Sequence, residues 1–402
     1  MKILVLNCGS SSIKYKLFDM SDQSVIASGG IEKIGLEDSF LKFKLTDGSK
    51  KIIEKQIPEH TAGVELILQT LINEEYGVIK SFDEIDAVGH RMVHGGEKFT
   101  QSVLLTDEVL KEFASCNDLA PLHNPANLKG VDAIKAILPN VPQIGVFDTA
   151  FHQTMPDYAF LYALPIEFYK DFHIRRYGFH GTSHRFITKY VSEYLGVPVE
   201  GLKLITCHIG NGASIAAIKD GKVIDTSMGL TPLEGLVMGT RAGDVDAGVV
   251  TFLQNKLKLD SQKMSEVLNK KSGMLGLSKI SSDMRELESA CANGDPSAIL
   301  ATNVYTYRIK KYIGSYAAAL NGVDVIVFTG GVGENQPSVR SLALANMSYL
   351  GIEIDEKLNE EIAHGKEGII STPDSKVKVL ILSTDEELMI AQDTAGILSE
   401  NK

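Results

Sequence analysis

The sequence contains two copies of one structural unit, in which an apolar strand leads into a polar, glycine-rich turn and then a second strand. The first copy is KILVLNCGSSSIKYKLFD, Lys2–Asp19, and the second is KLITCHIGNGASIAAIKD, Lys203–Asp220. In both copies a Ser-Ile pair follows the turn, although the second turn is one residue longer. This duplication predicts a chain that folds as two similar halves.

A third apolar strand also ends in a glycine turn, DVIVFTGGVGEN, Asp324–Asn335. Glycines let backbone N–H groups approach a phosphate closely, and Ser, Asn and His side chains add further donors. Hairpin turns in general are rich in Gly, Asn and Ser, so one such turn would indicate little. Two copies and a third turn together favour a nucleotide-binding site.

The chain length and the order of its patterns predict two domains of the α/β class. A chain of 402 residues exceeds what one hydrophobic core usually serves. Strand patterns alternate with helical patterns, which is typical of mixed sheets flanked by helices. From the repeat we place the first domain at residues 1–150 plus 383–402 and the second at residues 151–382. For the last helix, Thr384 and Glu387 have the spacing of a capping box.

Composition excludes several classes of function. Hydrophobic residues make up 44% and charged residues 23%, which is ordinary for a globular protein. No apolar run approaches the roughly 20 residues of a membrane span, and the N-terminus reads as a core strand rather than a leader, so we expect a cytoplasmic protein. The net charge of −11 argues against nucleic acid as a partner.

The four cysteines are widely separated in the sequence and show no CxxC spacing. This spacing favours buried thiols over disulfides or a zinc site. They are Cys8, Cys116, Cys207 and Cys291.

Polar and glycine residues follow the predicted strands, where ligands bind in open α/β sheets. These residues are Asn7, His90 with Arg91, Asp148, His208, and Gly330 with Gly331. Two further segments are too dense in glycine, arginine and histidine to be core. They are RRYGFHGTSH, Arg175–His184, and GLTPLEGLVMGTRAGDVD, Gly229–Asp246.

Familiar nucleotide-binding motifs are missing from the sequence. It contains no GxxxxGK[ST] loop and no HRD or DFG signature of protein kinases. Both GGVGEN and HIGNGAS lack the third glycine of a dinucleotide fingerprint, which argues against a dehydrogenase.

At the level of whole motifs, the chain resembles the acetate kinase (acetokinase) family over nearly its full length and in matching order. The segments are NCGSSSIK, HRMVHGG, FDTAFH, YGFHGTSH, CHIGNG, GLTPLEGLVMGTRAGD, FTGGVGEN and TDEEL. The resemblance implies two duplicated ribonuclease-H-like domains, as in sugar kinases, chaperone ATPases and actin, with the active site in the interdomain cleft. It also implies reversible transfer of the ATP γ-phosphate to acetate with Mg²⁺, or Mn²⁺ as an alternative, and a homodimer formed through the second domain.

The resemblance assigns catalytic roles to Arg91, Asp148, His180 and Arg241. Arginine suits phosphoryl transfer because the reaction depends on alignment and charge neutralisation. Asp148 is the family's catalytic acid or base. Acetate, however, is already ionised at neutral pH, which favours a role in holding Arg91 or a magnesium-bound water. The remaining alternative is that Asp148 caps the segment that follows it. For His180, a structural role near a helix is the alternative.

By the same resemblance Asn7 and Glu386 lie near the metal. Acidic residues in a first helical turn also complement the helix dipole, so Glu386 has a structural alternative. The nucleotide contacts carried over are Lys14, His208, Ile209, Gly210, Asn211, Gly212, Asp283, Met284, Arg285, Gly331, Val332, Gly333, Glu334 and Asn335. Without the resemblance, Lys14 would read as a solvated strand lysine and Asp283–Arg285 as a helix start.

The acetate methyl group is expected to lie among apolar side chains near Arg91. The matching residues are Val93, Leu122, Phe179 and Pro232. A pocket closed by such side chains rejects longer acyl chains by steric overlap, so acetate is expected to be preferred over propionate, with butyrate poor.

Two other functions remain open at this stage. One is a kinase for propionate or another short-chain carboxylate, and the other is an ATPase of the chaperone or actin type that does not transfer phosphate to a small acid. The second is disfavoured because the chain has no separate peptide-binding domain and carries two arginines and a histidine suited to an anionic substrate.

Overall fold

The computed structural model describes residues 1–121 and 123–400. The chain forms two compact units, Met1–Phe151 together with the segment from Asp385 onward, and His152–Thr384. The sequence places the end of the first part of the first domain at residue 150 and the return of the chain to this domain at residue 383. In the structure these two positions are 151 and 385.

The secondary structure alternates between strands and helices through both units. The strands are β1 Lys2–Cys8, β2 Ile13–Asp19, β3 Ser24–Glu32, β4 Phe40–Leu45, β5 Lys50–Glu54, β6 Ala87–Met92, β7 Val103–Leu104, β8 Gln143–Phe147, β9 Lys203–Ile209, β10 Ala213–Lys219, β11 Lys222–Thr226, β12 Val325–Thr329, β13 Gly368–Ile369 and β14 Lys378–Ile381. The helices are α1 His60–Leu71, α2 Asp107–Ala114, α3 Asn124–Ile137, α4 Asp157–Phe160, α5 Ile166–Phe172, α6 Gly181–Leu195, α7 Ala247–Leu257, α8 Ser261–Lys270, α9 Gly273–Ser278, α10 Met284–Ala292, α11 Pro296–Ala319, α12 Gly330–Asn335, α13 Pro337–Leu344, α14 Glu356–Glu361 and α15 Glu386–Glu400.

The two sheets repeat one topology. In the first unit the strand order is β5-β4-β3-β2-β1-β6-β8-β7, and in the second it is β11-β10-β9-β12-β14-β13. In each sheet the opening hairpin strands pair antiparallel, the next two pair parallel, and the last strand returns antiparallel. The first sheet adds β4 and β5 at its edge. The predicted α/β class with two duplicated ribonuclease-H-like halves is therefore confirmed.

The core of the first unit lies on both faces of its sheet. Strand β1 is almost continuously apolar because both of its faces are covered. Helices α1 and α3 cover one face, and α15 packs on β1, β6 and β8 from the other. Gly89 lets α15 approach β6 closely, since a Cβ atom there would lie 2.6 Å from Ile390 and from Thr394.

In the second unit the long helix α11 packs on β9, β10 and β11, and α6 packs on β9. Helix α11 begins with Pro296 behind Asp295, whose carboxylate accepts from the N–H groups of Ser297 and Ala298. This is the proline-first helix start that sequence patterns predict.

Several local predictions are wrong in detail. The capping box is not formed, because Asp385 accepts from the N–H of Leu388 while the Thr384 hydroxyl contacts Ser183. Asn7, Arg91 and His208 lie inside their strands rather than after them.

The two glycine-dense segments are also more ordered than their composition indicates. The GTSH end of the first segment is already the first turn of α6. In the second segment, Leu236, Val237 and Met238 are buried, because an apolar run between glycines can still pack into the core.

All four cysteines are free thiols, and Cys8, Cys116 and Cys207 are buried while Cys291 is half-buried. Within residues 1–121 and 123–400, no helix combines the length and the apolar character needed to cross a membrane.

Candidate active site

Arg91 and Asp148 form the centre of the polar site in the first unit. Arg91 lies on β6 opposite Val146 of β8, so Asp148, just past that strand, shares its face of the sheet. The Arg91 guanidinium donates to the buried Asp148 carboxylate through Nη2 at 2.6 Å and through Nε at 3.1 Å to each oxygen. The carboxylate therefore fixes the orientation of the arginine.

Three more side chains surround this ion pair. Asn7 of β1 accepts from Nη1 of Arg91 at 3.4 Å, and Lys14 stands directly across from Asn7 on β2. Glu386 occupies the first turn of α15. The site thus collects two carboxylates, an amide and two cations at one end of the sheet.

The electrostatics of the site are dominated by the burial of its charged groups. Burial raises the pKa of Glu386 to about 7; Arg91 opposes the shift, and the charge of Asp148 adds to it. Burial by itself would lower the pKa of Arg91, but Asp148 and Glu386 raise it overall. Burial therefore leaves the Glu386 carboxylate less stable as an anion than it would be in water, despite the two nearby cations.

These residues fit a magnesium ion that is held mostly by nucleotide phosphates and water. Within residues 1–121 and 123–400, no group of three or more His, Cys, Asp or Glu side chains is arranged as a complete metal cage. Magnesium typically takes one or two carboxylates and completes its shell with water and phosphate oxygens. The Glu386 carboxylate and the Asn7 amide oxygen are donors of the right kind, and a cation there would relieve the repulsion between Glu386 and Asp148.

In the second unit, His180 and Arg241 converge on the glycine turn after β9. A Cβ atom on Gly212 would lie 3.5 Å from both Nη1 of Arg241 and Nε2 of His180. Arg241 donates to the Pro232 carbonyl at 3.2 Å. No ion pair joins it to a carboxylate of the described part of this unit, and burial lowers its pKa. An oriented, unneutralised guanidinium over a glycine turn is suited to an anion.

His180 is held in place by neighbouring side chains. It has a left-handed backbone, φ 57°, immediately before α6, a conformation that costs energy for a residue with a side chain. Its Nδ1 lies 2.9 Å from the Ser214 hydroxyl, which also contacts His184. Its ring packs on His208 with centroids 4.3 Å apart. Burial lowers the pKa of His184 well below the ordinary value, so this supporting histidine is neutral.

The glycine turn after β12 forms the short helix α12. Gly330 has φ +79°, and a Cβ atom there would lie 2.9 Å from the Ile209 carbonyl oxygen, so glycine is required. The Glu334 carboxylate accepts from the Gly330 N–H at 2.8 Å. Glu334 therefore stabilises the first turn of its own helix. The Asn335 side chain donates to the Gly331 carbonyl and accepts from the His364 N–H.

A cleft of about 740 Å³ opens beside these turns, within the size range of small-molecule sites. Eight predicted nucleotide residues line it: Gly210, Asn211, Asp283, Met284, Arg285, Gly331, Val332 and Asn335. Four lining residues were missed by sequence reasoning: Ser282, Glu288, Gln336 and His364. Ser282 and Gln336 adjoin recognised motifs, but Glu288 and His364 carry no sequence signal because folding alone brings them to the cleft.

The other residues predicted to contact the nucleotide do not line this cleft. Ile209 and Gly333 are buried, the ring of His208 packs on His180, and Gly212 lies under Arg241. Lys14 belongs to the first unit, beside Asn7. Asp283 caps α10 and pairs with Arg285, so this motif is a helix start that also lines the cleft.

The residues predicted for the acetate methyl group are spread over both units. Val93 lies in the first unit and is buried. Phe179 is buried next to His180, and half-buried Pro232 contacts Arg241. Leu122 falls outside the described residues.

Comparison with known proteins gives consistent matches over the full chain. The sequence model of the acetokinase family matches residues 2–392. Acetate kinase of Bacteroides fragilis is 68% identical over 400 residues, covering 100% of both chains. The crystal structure of Porphyromonas gingivalis acetate kinase has 57% identity and a TM-score of 0.96 over 99% of each chain. A propionate kinase from Francisella tularensis has 39% identity and a TM-score of 0.92, covering 98% of this chain and 99% of its own.

Proposed function

This chain belongs to the acetokinase family, and we infer that it catalyses the acetate kinase reaction, in which the γ-phosphoryl group of ATP is transferred to acetate to give acetyl phosphate and ADP. Relatives at 58 to 68% identity bear the name acetate kinase. The propionate kinase at 39% identity is a more distant match, so propionate is the second candidate substrate.

The observation that best supports this function is the convergence of Arg241 and His180 on the Gly212 turn. In phosphoryl transfer the protein aligns the reactants and neutralises charge on the moving group. Arg241 has no carboxylate partner in the described part of its unit, so its charge is available to that group. His180 donates to the equatorial phosphoryl oxygens in this proposal.

Arg91 binds the acetate carboxylate and the transferring phosphoryl group. Its orientation comes from Asp148, which makes Asp148 a positioning residue rather than a proton donor or acceptor. Acetate is already ionised at neutral pH, because a carboxyl group of this kind has a pKa of about 4, so no proton has to be removed from it. The carboxylate oxygen therefore attacks the phosphorus directly and in line with the leaving ADP oxygen.

Magnesium, with manganese as an alternative, would be held near Glu386 and Asn7 and would neutralise charge on the nucleotide phosphates when bound. ATP is expected in the cleft of the second unit, where Asn211 and the Gly331 turn approach it. Val93, Phe179 and Pro232 are proposed to surround the acetate methyl group and so to limit the acyl chain length.

We propose a homodimer formed through the second unit. Several large apolar side chains of that unit are exposed, among them Phe172 on α5, Phe252 on α7 and Tyr307 on α11, at 63%, 63% and 62%. Exposed aromatic groups of this size are typical of interfaces. Sedimentation of wild type and of Phe252→Asp distinguishes a dimer from a monomer.

A cytoplasmic location is proposed as well, since the four thiols are free.

The experiment that tests the function traps the acyl phosphate with hydroxylamine. Arg91→Ala and Arg241→Ala should each lose several kcal/mol of transition-state stabilisation, on the order of 10³-fold in turnover, while ATP still binds. Arg285→Ala, which removes an exposed arginine at the cleft rim, serves as the matched control and should mainly change the KM for ATP. Full activity in either of the first two variants would refute the assigned roles.

A further inference from the structure

The sheet face that carries α15 continues beyond this helix as an open surface rich in lysine. Opposing residues on antiparallel strands share a face, and the strand register aligns two rows across β2, β3, β4 and β5. One row is Lys14, Gly30, Lys42 and Ile52, and the other is Lys16, Ser28, Lys44 and Lys50. We call this eight-residue surface the lysine trough.

The trough has the shape of a small-molecule site. Lysines stand on β2 and β4, while the intervening β3 contributes only Gly30 and Ser28. Neighbouring strands lie about 4.8 Å apart, so β2 and β4, which lie on either side of β3, are roughly 10 Å apart. The open groove has a volume of about 530 Å³, and Glu32 and Glu387 line it beside the lysines; this volume is within the range that holds small ligands.

The charges in the trough are largely uncompensated. Lys44 and Lys50 stand directly opposite each other, an arrangement of like charges that destabilises a sheet. In the described part of the chain neither forms an ion pair, whereas Lys16 pairs with Asp385 at 3.0 Å and with Glu387 at 3.2 Å. This cluster occurs in a chain whose net charge is −11.

Protection of a sheet edge does not account for the whole trough. Lysines often guard edge strands against pairing with other chains, and this explains Lys50 on the edge strand β5. Strands β2 and β4, however, are paired on both sides. Protection of an edge therefore does not explain the lysines of these two strands.

We propose that the lysine trough binds a small polyphosphate anion. Lysine ammonium groups bind phosphate as point charges, and an anion bound along the row of Lys16, Lys44 and Lys50 would relieve the repulsion between Lys44 and Lys50. The volume of the groove suits a compound with two to four phosphoryl groups. The proposed contacts are Lys16, Lys44 and Lys50, none of which is a predicted nucleotide contact, whereas Lys14 in the other row is one.

Occupancy of the trough should also affect catalysis, a consequence that rests on the proposed function. Lys16 links the trough to Asp385 and Glu387 at the start of α15, on either side of Glu386. An anion that draws Lys16 away loosens this end of α15 and lowers turnover. The anion therefore acts as an inhibitor that does not compete with ATP.

The test measures binding of inorganic tripolyphosphate by calorimetry in metal-free buffer with saturating ADP, which fills the nucleotide cleft and prevents phosphoryl transfer. Wild type should bind it saturably, and binding should weaken steeply from about 0.01 M to about 0.15 M salt, where the Debye length falls from roughly 30 to roughly 8 Å. Lys44→Gln/Lys50→Gln should lose about tenfold or more in affinity. The control Lys111→Gln/Lys129→Gln removes the same charge from exposed positions on α2 and α3 and should bind like wild type.

Equal binding by the two double variants, or no saturable binding with ADP present, would overturn the proposal. Thermal unfolding of the ligand-free Lys44→Gln/Lys50→Gln variant, expected at or above the wild-type temperature, verifies that it folds. If it fails to fold, Lys44→Gln alone is measured in its place. In turnover assays at fixed free Mg²⁺, inhibition that is purely competitive with ATP would contradict the coupling through Lys16 while leaving the acetate kinase assignment intact.

Discussion

At the scale of single residues, two arginines with the same charge have opposite environments. Arg91 is fixed by the Asp148 carboxylate, whereas within the described residues the acceptors for the Arg241 guanidinium are a carbonyl and a methionine sulfur. A paired arginine is oriented but partly neutralised, whereas an unpaired one keeps its full charge for a ligand. The proposed reaction needs both properties, one for placing the carboxylate and one for stabilising the transferred group.

Asp148→Asn tests the positioning role. The substitution removes the ion pair with Arg91 but keeps the size of the side chain, so we expect kcat/KM for acetate to fall about 10²-fold or more, while the dissociation constant of ATP changes little. Asp148→Glu should recover part of the activity because it restores the charge.

The pH profile separates this role from proton transfer. If Asp148 only holds Arg91, the activity that remains in Asp148→Asn should show the wild-type pH dependence. Loss of one limb of the profile, as expected after removal of a catalytic acid or base, would contradict the assignment.

Burial of His90 makes the free energy of unfolding depend on pH. It is buried with Nε2 2.7 Å from Oε1 of Gln143, and burial lowers its pKa from 6.5 to about 4. The unfolded chain therefore binds a proton between these pH values that the folded chain does not. The contribution of neutral His90 to the free energy of unfolding is complete above pH 6.5. It decreases as the pH falls toward 4, by up to about 3 kcal/mol in total.

His90→Gln, which keeps a donor for Gln143, should remove this term. Urea unfolding at a series of pH values should show that the free energy of unfolding of wild type falls more steeply below pH 6.5 than that of the variant. Parallel curves for the two proteins would show that His90 is not a buried neutral group.

At the scale of elements, the candidate active site depends on how two helices are seated. Helix α15 brings Glu386 to Arg91 and packs closely on β6 at Gly89. Helix α12 presents Gly331 to the nucleotide cleft and is held from behind by Arg340. In both cases a buried contact far from the substrate fixes a functional residue.

Gly89→Ala tests the seating of α15. The new methyl group would lie 2.6 Å from Ile390 and Thr394, so we expect a loss of about 1 to 3 kcal/mol in stability and weaker activity through displaced Glu386. The control is Gly396→Ala on the same helix, where a Cβ atom meets nothing within 4 Å. That variant should be stabilised by up to about 1 kcal/mol, as measured by thermal unfolding.

Arg340→Met tests the support of α12. Arg340 is fully buried and forms no ion pair within the described part of the chain; burial lowers its pKa to about 10, and the charge of Glu360 opposes this shift only in part. Its guanidinium donates to carbonyl oxygens of Gly333, Glu334, Asn359 and Ile362 and to the Asn359 side chain. Orphaning these acceptors should cost of order 3 kcal/mol and raise the KM for ATP more than it lowers kcat. Exposed Lys357→Met should change neither; an unchanged KM for ATP in Arg340→Met would refute the support role.

At the scale of the whole molecule, the duplication visible in the sequence predicted the repeated sheet topology. Strand and turn patterns are local, so the opening hairpin of each unit and the glycine turns were found without three-dimensional information. The β4–β5 hairpin was missed because both of its strands are rich in lysine and look like surface chain. Glu288, His364 and the support by Arg340 could not be predicted, since they arise from packing between distant segments.

The motif-level resemblance supplied what residue patterns alone did not. Lys14 and Glu386 have ordinary structural explanations, and only the family match marked them, whereas the strand pattern had also marked Asn7. The register of the strands then accounts for their proximity: Asn7 and Lys14 are cross-strand neighbours, and α15 carries Glu386 to the same end of the sheet.

The most direct test of the account is the stoichiometry of ATP use measured with and without acetate. We predict negligible ADP formation without acetate, and with acetate one trapped acyl phosphate for each ADP released. ADP formation that proceeds at the same rate without acetate, or that exceeds the trapped acyl phosphate many-fold, would contradict phosphoryl transfer to acetate and indicate an ATPase instead.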